Sequence, residues 1–156
     1  MYNNQQKFID NGVDRLPPQN VEAEEAILGG ILLDPDAIGR VSDRLIADAF
    51  YIDAHKEIYR AALQLHTQGK PTDLLTIAAW LVDRELLSKI GGKSKLVQLV
   101  DRTVSAINID ALAGLVMDKY LRRQLITSGN EIVQLGFETD KELATVLDQA
   151  EQKVFG

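Results

Sequence analysis

The chain has 156 residues, 46% apolar and only 6% aromatic, which is enough for one domain with a real core, or a domain with an appendage. It contains no cysteine, which excludes disulfides, thiolate metal sites and cysteine nucleophiles, and its formal net charge of −6 argues against a domain that grips nucleic-acid phosphates as a whole. The longest apolar run, residues 26–33, is too short to span a bilayer, and the polar N-terminus lacks an apolar signal core, so the expectation is a soluble, cytosol-like protein with no membrane partner.

Helix-favouring Leu, Ala, Glu, Lys and Gln dominate, and no stretch alternates with β-branched enrichment and hairpin turns. The expected fold class is all-α: a compact multi-helix head followed by a long antiparallel helical hairpin. Residues 1–17, rich in Asn and Gln and without a period, read as a flexible arm ending at Pro17-Pro18; residues 18–107 read as the head and 108–156 as the hairpin. Asn20 caps the first helix, with Glu22, Glu24 and Glu25 near its positive end and Val21, Ile27, Leu28, Ile31 and Leu32 as its apolar members. Gly29 and Gly30 in mid-helix cost about 1 kcal/mol each, a cost tolerated where another backbone comes close. Asp34-Pro35 starts a second helix, whose inner stripe is Ile38, Val41 and Leu45. Phe50 and Tyr51 precede Asp53, read as the cap of a helix that turns Ile58, Ala62 and Leu65 inward and stops at Gly69. Pro71-Thr72-Asp73 opens the next, which buries Leu74, Ile77, Ala78 and Leu81 and leaves Trp80 at the half-buried rim.

Gly91-Gly92-Lys93-Ser94 has the look of the end of a phosphate-binding loop. The spacing argues otherwise. The loop needs a glycine five positions before Gly92, and Leu87 stands there; it also needs a buried strand leading in, and "DRELLSKI" is charged and unbranched. The two glycines read instead as a helix stop, with Ser94 at the start of a short helix carrying Leu96, Leu99 and Val100.

Asn108 caps a helix that runs to Leu135, roughly 27 residues or about 40 Å at 1.5 Å per residue. A head of about 90 residues has a diameter of only about 30 Å, so this helix outruns it. Gly136 and "GFETD" make a turn, Asp140 reads as the next cap, and a second helix runs back. Met117, Leu121, Leu125, Ser128, Ile132 and Leu135 recur at three- and four-residue steps, answered by Leu143, Leu147, Ala150 and Val154. Leu121, Leu125, Ile132, Leu143, Leu147 and Val154 are the expected hairpin core. Tyr120, Ile126, Val133, Val146 and Phe155 lie off that seam, either packed within the chain or forming a second face for an oligomer or partner. Arg122 and Arg123 either meet an acidic partner surface or remain solvated.

Catalytic residues, a cofactor site and a metal site are not expected within these residues. His55 and His66 lie about 16 Å apart along one helix and cannot share an ion. No serine has a paired base, and the carboxylates fall on caps and solvated faces.

"PPQNVEAEEAILGGILLD", "DAFYIDAHKEIYRAALQLHTQGKPTDLLTIAAWL", the Gly-Gly before a short helix, "NIDALAGLVMDKYLRRQLITSGNEIVQLGF" and "AEQKVF" together resemble the N-terminal domain of the bacterial replicative DNA helicase DnaB family, over residues 16–156. One departure is Lys95-Leu96, where that family commonly has Tyr-Leu. The resemblance implies a parent hexamer that unwinds duplex DNA by hydrolysing ATP. It places the P-loop, with ATP and Mg, on a RecA-like domain reached through a linker after Gly156, and leaves this fragment non-catalytic. It also implies a collar of N-terminal domains arranged as a trimer of dimers, with hairpins packed on each other and primase docked on the collar. A helicase loader is a further candidate partner, and single-stranded DNA is met mainly by the absent domain. The expected location is the cytoplasm, or the stroma of a plastid. A stand-alone helical DNA-binding regulator, with "YLRRQLI" reading DNA, is the alternative.

Overall fold

A computed structural model describes residues 15–103 and 108–156, and all of its regular structure is helical. Most of the expected N-terminal arm, residues 1–14, lies outside the described residues. α1 (Val21–Leu33) starts where its cap was expected: the Asn20 side chain accepts the Ala23 N–H at 3.0 Å, with Glu22 and Glu24 in the first turn. α2 (Ala37–Val41) follows Asp34-Pro35, the Asp34 carboxylate accepting the Asp36 N–H. A 3₁₀ turn (Ala47–Ala49) leads to α3 (Asp53–Thr67), then come α4 (Leu74–Asp83), a second 3₁₀ turn (Ser88–Ile90) and α5 (Lys93–Arg102). α6 (Ile109–Gly136) is the long helix, and α7 (Leu143–Phe155) closes the chain.

The expected inward stripes go inward, except that Val21, Leu74 and Val100 are only half-buried. Ile27, Leu28 and Ile31 of α1, Ile38 and Val41 of α2, Ile58, Ala62 and Leu65 of α3, Ile77 and Leu81 of α4, and Leu96 and Leu99 of α5 are buried in one core, with Phe50 and Tyr59 at its centre. α3 is the middle element, packed against α1, α2, α4 and both 3₁₀ turns. α1 lies closely on α5. A Cβ at Gly29 would sit 2.6 Å from the Leu99 carbonyl oxygen and would collide with Thr103, so the mid-helix glycine permits this approach. The edges of the contact are held by Glu25, 3.3 Å from Arg102 and 3.7 Å from Lys95.

Three caps differ from expectation: Asp36, not Asp34, stands at the cap position of α2, which begins at Ala37 rather than Pro35. Asp53 is the first residue of α3 rather than its cap; the cap position is Ile52, which offers no side-chain acceptor. α7 starts at Leu143, so Asp140 stands in the turn and caps nothing. The α3 cap comes from another helix. Glu24 Oε2 accepts the Tyr51 N–H at 2.6 Å, and its Oε1 accepts the Ile52 N–H at 3.3 Å and the His55 Nδ1–H at 2.8 Å. Both side chains are buried. Glu24 falls on the same stripe as Ile27, Leu28 and Ile31, which is why it faces the core rather than the solvent assumed for a dipole-complementing glutamate.

The residues through Tyr120 form one compact unit, and Leu121–Gly156 form a second. The sequence places a boundary at residue 108, where the long helix begins. The division falls later because Ile109, Ala113 and Val116 of α6 are buried in the head core and Leu112, Met117 and Tyr120 pack at its edge. Arg44 adds an ion pair of 2.8 Å to Asp110.

Candidate docking surface on the terminal helices

The first unit offers little that resembles a reaction centre. Both oxygens of the buried Glu24 are occupied by backbone and imidazole donors, so the Glu24–His55 pair serves to hold residues 51 and 52. Tyr59 donates its hydroxyl to the Leu45 carbonyl at 2.6 Å, and burial, with the charge of Asp43 adding to it, pushes that hydroxyl above the ordinary tyrosine range. Trp80 is half-buried, as expected, with the Arg84 guanidinium 3.8 Å from its ring centre. His55 is buried on the first turn of α3 and His66 is exposed on the last. Gly91 to Ser94 do not fit a phosphate loop. No strand precedes them among the described residues. Gly91, at φ 105, closes the 3₁₀ turn in the left-handed region, and Lys93 opens α5.

The second unit is a helix pair that buries almost nothing. No residue of α7 is buried. α7 returns beside α6: Lys153 lies 3.4 Å from Glu131, and Val154 shares a trough of about 320 Å³ with Leu121, Leu125, Ser128, Gly129 and Ile132. Of the stripe assigned to a hairpin core, Leu121, Leu125, Ile132 and Val154 line that trough, which is left open. Leu121, Leu125, Leu143, Leu147 and Val154 are exposed, by 74% at Leu125, and Ile132 is half-buried. The physical reason is that two helices side by side enclose no volume, so a seam between them stays a groove.

Of the residues assigned to a second face, Ile126, Val133 and Phe155 are exposed and Val146 is half-buried. Tyr120 is different: it packs at the edge of the head core. Arg122 is exposed and Arg123 half-buried. Phe137, missed in the sequence because it was read only as part of a turn, is 64% exposed just beyond α6 and extends the line of Ile126 and Val133. A continuation of the apolar period past Gly136 was the signal for it. In the turn, Glu138 pairs with Lys141 at 2.8 Å and, by hydrogen bond first and charge second, raises the Lys141 ammonium.

Nine large apolar side chains thus lie exposed between Leu121 and Phe155. Full burial of one is worth about 1.5–3 kcal/mol, or about 60–120 Å² at ~25 cal/mol per Å². Summed over both faces of the helix pair, at their observed exposure they present roughly 500 Å² of apolar area. Apolar exposure on this scale within one helix pair exceeds the singly scattered apolar side chains of ordinary surface.

The profile of a family described as "DnaB-like helicase N terminal domain" matches residues 16–118. The chain belongs to that family. The replicative DNA helicase DnaB of Nostoc sp. (strain PCC 7120) is 74% identical over 149 residues, covering 96% of this chain and 17% of the relative. That of Geobacillus stearothermophilus is 40% identical over 141 residues, covering 90% of this chain and 31% of the relative. The crystal structure of the N-terminal domain of DnaB helicase from Mycobacterium tuberculosis matches with a TM-score of 0.86 at 40% identity, over 90% of this chain and 100% of that one. A structure of a DnaB-like replicative helicase and its interactions with primase matches with a TM-score of 0.66 at 26% identity, over 84% of this chain and 31% of that one. The chain spans 17% of the length of the Nostoc relative, and its own residues correspond to the N-terminal domain. Among the described residues no helix is long and apolar enough to cross a membrane, and no group of acidic and histidine side chains is placed to hold a metal ion.

Proposed function

We propose that this chain is the non-catalytic N-terminal collar domain of a hexameric, ATP-dependent replicative DNA helicase, and that its terminal helix pair docks neighbouring copies and primase during DNA replication. The observation that carries the reading is the helix pair itself: no residue of α7 is fully buried, while α6, α7 and their turn together expose nine large apolar side chains from Leu121 onward. Family membership supplies the context, since the relatives are replicative helicases and one solved relative is described with primase. ATP and Mg belong, on this reading, to a RecA-like domain elsewhere in the parent protein. That domain also carries most of the contact with single-stranded DNA, and a helicase loader is a further partner of the assembly. The setting is the bacterial cytoplasm, which fits the bacterial relatives.

Light scattering and calorimetry with the helicase-binding domain of primase test this. The chain is expected to self-associate and to bind that domain. Leu125→Glu combined with Leu147→Glu, both exposed in the single chain, is expected to weaken association at least tenfold with helicity intact. A strict monomer at high concentration that also ignores primase would end the proposal.

A further inference from the structure

We draw no further inference here: the strongest candidate, the outward apolar stripe of Leu75, Ala79 and Val82 on α4 in the first unit, is an unpartnered helix face, and nothing in the structure shows what covers it.

Discussion

Replacing Glu24 by Gln takes one charge and one acceptor from a site that holds three donors. In the parent, Oε2 accepts the Tyr51 N–H at 2.6 Å, and Oε1 accepts the Ile52 N–H at 3.3 Å and the His55 Nδ1–H at 2.8 Å. A carboxamide has a single oxygen. If that oxygen keeps Ile52 and His55, the amide nitrogen faces the Tyr51 N–H, donor against donor. The site is at most 1% exposed, so water does not substitute. A hydrogen bond to a charged group contributes about 1.5–3 kcal/mol, and a buried donor left unpaired costs about 1–3 kcal/mol. Together these predict a loss of roughly 3–4 kcal/mol, a large share of a domain stability of about 5–15 kcal/mol. For a unit of this size that is a fall in Tm of about 12–16 °C at ~4 °C per kcal/mol. Trp80, the only tryptophan, sits on α4 in the first unit, so urea unfolding followed by its fluorescence reports that unit selectively. A Glu24→Gln chain within about 1 kcal/mol of the parent would refute the view that this carboxylate caps α3 from α1.

Gly29→Ala should destabilise the first unit by up to about 2 kcal/mol in urea titrations: overpacking at 2.6 Å from the Leu99 carbonyl costs about 1–3 kcal/mol, offset by roughly 1 kcal/mol of helix propensity. Glu85→Gly should stabilise by about 0.5–1 kcal/mol on the same measurement, because Glu85 closes α4 at φ 57, where glycine has no Cβ to strain. Tyr59→Phe should lose about 1 kcal/mol at neutral pH with the bond to the Leu45 carbonyl. It should also lose less stability than the parent as pH rises. Burial raises the folded-state value above the ordinary 10.0, so the unfolded tyrosine ionises first and parent stability falls as pH rises past that value. A parent and variant with parallel alkaline profiles would contradict this.

Much of the first unit was legible in the sequence because helix periodicity is local. The stripes through Ile27, Ile38, Ile58, Ile77 and Leu96 all reached the core, and Asn20 caps α1 through its side chain. Gly91 ends its turn in the left-handed conformation that its position called for. The false phosphate loop was also recognisable, since its failure lies in spacing alone. Legibility ended where the partner of a residue lies far along the chain. Glu24 meets residues 51, 52 and 55; its place on the stripe of Ile27, Leu28 and Ile31, which the solvated Glu22 lacks, turns it inward but does not say which donors it meets. Asp53 was read as a cap because it is the nearest suitable side chain, yet the acceptor that α3 uses arrives from α1.

The amino-acid sequence by itself determined the all-helical class, the approximate span of each helix, and the faces that must leave water, because these follow from neighbouring residues a turn or two apart. Only the tertiary structure decided which of those faces find cover within one chain. The stripes of α1 to α5 close on each other around a shared volume, and the first turns of α6 join them. The same kind of stripe on distal α6 and α7 stays open, because two helices have nothing to close around.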